Sequence, residues 1–382
     1  MKIIKSITIT EAMLTSSDVP ENDYAAYNAG TTYTEGDKCI SDHKICESLP
    51  LSDIELLTLD VAPAIPWLPG WTLTGQTSQK TCVVVQHITS LTYLVKNRSG
   101  AFTLGEVIGV TGTAALLADQ GAAKPTFATA PNVGHDPATD LALDTPIWWK
   151  EVSATNRWKP FDAKVGSQAS QATSLTYKIT PGELFDSAAF MNIDAVSIHI
   201  VSTDSVAGVV YDETLDLLNV VTDKLSGVYD WYSYFFADYF RISDIAVFDI
   251  PPYLNAVLDI TIAYAGGTVL CGGIVLGLAR TLGGSEYGAA IGITDYSVKS
   301  TDAYGVTSID KRDYAKYMNV DISSKSAATA NLFRLLATYR AEALVWVGEA
   351  EVLFAYGFPK SFEISIAYPD YDVVTIEIEG LT

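Results

Sequence analysis

The sequence predicts a mainly β, multidomain protein: a small β module carrying a β insertion, a jelly-roll-like β-sandwich, and a C-terminal α+β domain. Three observations lead there. Short apolar or alternating runs, punctuated by Gly, Asp, Asn and Pro, recur along most of the chain. Only the stretch around residues 323–339 carries a sustained helical spacing. A chain of 382 residues is long enough for two or three cores. The expected boundaries are 1–165 for the first module, with 52–130 inserted in it, 166–282 for the sandwich, and 283–382 for the α+β domain.

Composition narrows the function classes. Hydrophobic residues make up 48% and charged residues 18%, so much apolar surface must be buried between domains or between subunits. Tyrosine, at 21, nearly equals lysine and arginine together, at 24, a balance that suits interfaces and sugar binding. The net charge of −21 repels phosphate backbones and argues against nucleic-acid binding. No signal peptide is read at the N-terminus, where Glu11 cuts the apolar stretch short, so synthesis in a cytoplasm is expected. Four cysteines are few for a disulfide scaffold. Cys39 and Cys46 could bridge a hairpin, but buried free thiols are the simpler reading.

The chain is organised around residues 146–162, which hold three of the seven tryptophans, Trp148, Trp149 and Trp158, together with Phe161. Upstream, residues 7–10 alternate as a strand. Residues 23–49 then read as an aromatic strand, a turn at Gly36-Asp37, and a hairpin whose arms, 38–40 and 44–46, meet across Ser41-Asp42-His43. A three-stranded sheet is expected there. Trp148 and Trp149 are adjacent, so in an extended segment they point to opposite faces.

The order Tyr27, Tyr33, Gly36-Asp37, hairpin, Pro137, Trp148-Trp149 resembles the small chitin-binding modules of chitinases, although Ile45 stands where those modules often carry an aromatic. Similar modules occur in bacteriophage tail and virion proteins, followed by a segment like Thr155-Asn156-Arg157-Trp158 with Phe161-Asp162. The resemblance implies a carbohydrate-binding-like module with Tyr27, Tyr33 and Trp148 as its sugar-binding rings. Trp149 aligns with the closing tryptophan, which makes it the core residue and turns Trp148 outward. The resemblance further implies a structural protein of the virion tail, at the tip or baseplate, assembled in the host cytoplasm. Its partners would be other virion tail proteins, further copies of itself, and a host cell-surface glycan.

Between the two pieces, residues 81–86, 93–96 and 102–107 read as strands of the insertion, with a turn at 97–100. An insertion at a surface turn is expected to be removable. This run resembles the small antiparallel inserts of phage tail proteins. Further on, residues 175–179, 195–202, 209–212, 246–249, 256–264 and 269–278 are the strands of the sandwich. Residues 260–279 carry no charge and are long enough to cross a bilayer. Their β-branched content and the Gly266-Gly267 pair favour two buried strands around a turn, so no membrane insertion is expected. The aromatic run 229–241 reads as a core strand pair, with a ligand platform or a subunit surface as the alternatives.

In the last hundred residues, Ser323 or Ser324 is the expected N-cap of a helix that carries Leu332, Phe333, Leu335, Leu336 and Tyr339 largely on one face. Residues 344–347, 362–367 and 373–378 read as strands. A helix on such a sheet resembles the assembly domains of phage tail-tip proteins.

Catalytic chemistry finds little purchase. The histidines His43, His87, His135 and His199 sit beside no nucleophile-elbow motif, and neither a P-loop nor a dinucleotide fingerprint is present. Cys39, His43 and Cys46 offer three zinc ligands without a fourth. Asp136, Asp140 and Asp144 offer oxygens for calcium without an EF-hand pattern. The expectation is therefore no enzyme, no catalytic residue, no metal and no cofactor. The competing reading is a secreted carbohydrate-active enzyme, or a lectin, with a polysaccharide-binding module.

Overall fold

The computed structural model describes residues 1–49, 54–59, 62–63, 65–103, 106–110, 126–129, 132, 134–143, 146–220, 239–301, 304–350, 352–366 and 368–382. It is mainly β, built from antiparallel sheets, and among the described residues the longest helix is Thr329–Thr338, near the C-terminus. The chain forms two compact units: Met1–Asn22 with Ala154–Thr382, and Asp23–Ser153. The expected first module thus loses both its ends, because residues 1–22 and 154–165 belong to the larger unit. The smaller unit is itself the insertion. The larger unit ties the chain where it leaves and where it returns: Arg157 donates to the Val19 carbonyl at 2.8 Å, and Thr155 donates to Glu21 at 2.9 Å.

A fourteen-stranded sheet spans the larger unit. Its axis is the 25-residue strand Val257–Thr281. That strand pairs along one edge with Ser187–Asp194 and Ser197–Asp204, and along the other with Ala169–Ile179 and Lys2–Ser6. The two strands expected around Gly266-Gly267 are therefore one. Ser174 faces Ala263 while Ala172 faces Thr268, so the extra residues of the long strand loop out as a bulge. Gly266, at φ 87°, supplies the backbone conformation this needs. The uncharged stretch is strand, with Cys271–Gly277 buried and Ala265, Gly266 and Thr268 exposed at the bulge, and among the described residues no helix is long and apolar enough to cross a membrane.

Lys2–Ser6 joins the two halves of this sheet. It pairs with Gly277–Thr281 on one side and with Leu344–Val347 on the other. Ile3 and Ile4 are both fully buried on opposite faces. Ile3 enters a core with Met318, Trp346 and Ile376, and Ile4 one with Met191, Val275 and Phe354. The boundary expected at 282/283 is thus crossed by a continuous sheet, because the N-terminal strand fills the gap that the local sequence leaves there. Beyond it, Phe354–Ser365, Tyr371–Gly380 and Tyr314–Lys325 extend the sheet. Ser323 and Ser324 belong to the last of these strands, so neither caps the helix. The helix follows a 3₁₀ turn, Ser326–Ala328, that the Asp372 carboxylate anchors by accepting from Ser326 and Thr329. Leu332 and Leu336 face the core, while Phe333 is 54% exposed. Of the aromatic run 229–241, residues 229–238 lie outside the described residues.

The smaller unit contains a six-stranded sheet, in the order Thr126–Thr129, Ile54–Thr58, Thr92–Lys96, Thr81–Thr89, Thr72–Gly75, Ile108–Val110. Its core holds Leu57, Trp67, Leu73, Val84, Tyr93 and Val95. The strand expected at 102–107 starts only at Ile108. Glu106, 4% exposed, turns inward instead and accepts from Thr77 N, Ser78 N, Ser78 Oγ and Thr103 N at 2.6–2.9 Å.

Candidate functional site

The residues picked out by the sequence gather around a three-stranded sheet, Trp149–Ala154, Lys44–Ser48, Lys38–Ser41. Its hairpin closes on Asp42 and His43, both at positive φ (49° and 62°), the two-residue turn whose twist matches the flanking strands. The third strand differs from expectation. It comes from Trp149 onward, while the segment carrying Tyr27 and Tyr33 makes only one bridge, Ala26 to Ile40. Asparagine and glycine in residues 28–30 favour turns there, and the Asn28 side chain accepts from Gly30 N at 2.8 Å.

Trp148 and Trp149 are both buried, at 2% and 0% exposed, in one cluster. The outward-facing Trp148 is thereby corrected: His135 stacks on it with ring centroids 3.8 Å apart and 13° from parallel. No ring face remains for a sugar. Trp149 takes the edges of Tyr27, at 6.0 Å, and Tyr33, at 5.0 Å, and these two tyrosines stack on one another at 5.8 Å. Tyr27 and Tyr33 are each half-buried, so both expected platform rings serve first as walls for Trp149. The Tyr27 hydroxyl is raised above its usual pKa by burial and by the charge of Asp136. Tyr24 stands further out, 43% exposed, with Lys38 Nζ 5.8 Å from its ring centre.

Sequence reasoning missed the residue that sets the tryptophans. Asp140, 5% exposed, accepts the N–H groups of Trp148 and Trp149 at 2.9 Å and that of Ile147 at 3.1 Å. It projects from the short helix Pro137–Leu141, which Asp136 caps through Ala138 N at 3.0 Å. Pro137 at the first helical position was the legible signal. Two of the three aspartates considered for calcium are thus engaged by backbone, and Asp144 lies outside the described residues. Among the described residues, no group of three or more His, Cys, Asp or Glu is placed to hold a metal ion.

The insertion contributes to the same cluster. Leu94 is buried against Cys39, Cys46, Trp148 and Trp149, with Ile54, Leu56 and Val85 packed alongside. The six-stranded sheet therefore buries both faces, one in its own core and one on the tryptophans. That packing counts against the expectation of a removable insert. Burial pushes the Cys39 thiol up to about 11, aided by the Asp136 charge, and the Cys46 thiol up to about 12.

The other histidines are structural in setting. His87 stacks on Tyr93 at 4.8 Å, and His199 Nε2 meets Asp212 Oδ1 at 2.8 Å across two exposed strands. What the arrangement offers chemically is a rigid aromatic wall edged by half-exposed tyrosines.

Comparison with protein-family models, with curated proteins and with solved structures found no match to this chain.

Proposed function

We propose that the protein is a structural component of a phage virion, at the tail tip or baseplate, that assembles with copies of itself and with other tail proteins. One observation carries the assembly part. The larger unit holds large apolar side chains in open solvent: Tyr287 fully, Tyr304 at 93%, Ile366 at 82% and Phe333 at 54%. Phe333, Phe362, Ile364, Ile366 and Tyr368 line one open groove beside the helix. Apolar surface gathered in this way on a well-packed sheet suits coverage by a neighbouring subunit. The assignment to a virion rests on the resemblance of residues 24–49 and 132–162 to the modules of tail proteins. Contact with a host glycan, in this reading, falls to Tyr24, Tyr27 and Tyr33, the rings that keep an exposed edge.

The test is the mass of the purified full-length protein by light scattering, with negative-stain imaging. A discrete oligomer or ring supports the reading, and disruption by Phe333→Asp with Ile366→Asp would place the contact at the groove. A monomer at every concentration, alone and with the neighbouring tail proteins, would overturn it.

A further inference from the structure

In the larger unit, Val298–Thr301 and Thr307–Asp310 form a hairpin whose two strands pair only with each other among the described residues. From Ile293 to Tyr314 every described residue except Ser297 is exposed, Val298, Val306 and Ile309 among them. A two-stranded hairpin is marginal in water by itself and gains stability by packing on a helix or a further strand. This one prolongs a ladder of the large sheet. Ala290–Asp295 pairs with the first half of Tyr314–Lys325, and just beyond it Tyr296 N donates to Asp313 O. The hairpin is therefore an arm that leaves the sheet at the Tyr314 end of that strand. At the other end Ser326 follows directly, and it lines the apolar groove beside the helix together with Phe333, Ile364 and Ile366. The strand between them has 12 residues and spans roughly 40 Å. Charge also sets the arm apart. Residues 296–313 hold three cations, Lys299, Lys311 and Arg312, and three aspartates, so the arm is neutral in a chain of net charge −21. It can approach another copy without the repulsion that opposes the rest of the two acidic chains.

We propose that the hairpin arm of one copy docks in the groove beside the Thr329–Thr338 helix of the next copy, head to tail. The inference rests on the assembly reading and names the part of the neighbour that covers the groove. Docking gives the arm the helix it lacks and covers Phe333 and Ile366, the most exposed of these groove side chains. Arm and groove sit at opposite ends of one strand, with the arm pointing away, so a copy does not fill its own groove. The contact then joins two different surfaces, and each copy keeps one arm and one groove for further neighbours. Such contacts close into a ring or run on as a filament, and they do not stop at a twofold dimer.

Two full-length variants carry the test. In one, residues 298–310 are replaced by an Asn-Gly turn, which removes the arm and keeps the groove. In the other, Phe333→Asp with Ile366→Asp spoils the groove and keeps the arm. Thermal melting shows that each is folded, and Ile309→Asp, which keeps the hairpin, serves as a second arm variant. By light scattering, each variant alone should be monomeric at concentrations where the wild type is an oligomer. An equimolar mixture of arm-deleted and groove variants should give a one-to-one dimer and nothing larger, because only one contact can form. An oligomer that survives loss of the arm overturns the inference and leaves the assembly reading standing. The same holds for a groove variant that still dimerises through its arms, and for a mixture that stays monomeric. A wild type that is monomeric by itself at every concentration also overturns the inference, and the assembly reading falls with it only if the other tail proteins do not recruit the chain either.

Discussion

His135 holds both tryptophans at once. Its ring lies face to face on Trp148 at 3.8 Å, and its backbone carbonyl accepts the Trp149 indole N–H at 2.8 Å. One residue, upstream of the short helix, thus seats two adjacent rings.

The first prediction follows from that seating. Trp148→Ala and Trp149→Ala should each destabilise the smaller unit by about 3–5 kcal/mol, the range for truncating a buried tryptophan. Denaturant unfolding of both variants measures it. A Trp148→Ala variant as stable as the wild type would mean that the ring is not core.

The second concerns pH. Burial lowers the pKa of His135, while the Asp140 charge pulls it back in part. The folded value lies below the unfolded value of about 6.5, so the unfolded state binds more protons as pH falls. The contribution is complete above pH ~6.5 and is lost as pH drops toward the folded pKa. Melting temperatures taken between neutral and mildly acidic pH should fall, and His135→Gln should flatten the slope over that window.

Asp140→Asn is the third. The carboxylate accepts three backbone N–H groups in a buried setting, and an amide presents a donor where one of them points. Hydrogen bonds to charged groups contribute about 1.5–3 kcal/mol each, so a loss of roughly 3 kcal/mol is expected. Faster hydrogen exchange at residues 147–149 would report it locally.

A fourth prediction tests the joint in the large sheet. A Cβ at Gly277 would lie 1.8 Å from the Lys5 carbonyl oxygen. Backbone cannot yield as a flexible side chain can, so Gly277→Ala should cost about 3 kcal/mol, the upper end of the overpacking range. It should also release the N-terminal strand to limited proteolysis. A variant that resists both protease and denaturant like the wild type would remove Lys2–Ser6 from its place in the sheet.

The fifth reverses the removable insert. Replacing residues 54–129 by a Gly/Ser linker is cheap in loop-closure entropy. It nonetheless strips Leu94, Ile54, Leu56 and Val85 from the tryptophan cluster. Cooperative melting of the smaller unit should disappear, and calorimetry would detect a retained transition.

Much of the local structure was legible in the residues. Alternation marked Val374, Ile376 and Ile378 as the inward positions of the last strand, all fully buried. The run Ser41-Asp42-His43 marked its hairpin turn, and helical spacing marked a face on which Leu332 and Leu336 are buried while Phe333, expected with them, is exposed. These are local properties, set by side-chain periodicity and backbone preference within a few residues. What covers each apolar face was decided only in three dimensions. The adjacency of Trp148 and Trp149 says nothing of His135 arriving over one of them. The apolar pair Ile3-Ile4 says nothing of partners at 279–280 and 345–346. Gly266-Gly267 reads equally as a hairpin turn or a bulge, and only the pairing of residues 258–263 and 268–271 with the one strand Ala169–Ile179 makes it a bulge. Pairing between distant strands is set by which surfaces remain unburied once every local element has formed, and that choice is a property of the whole fold.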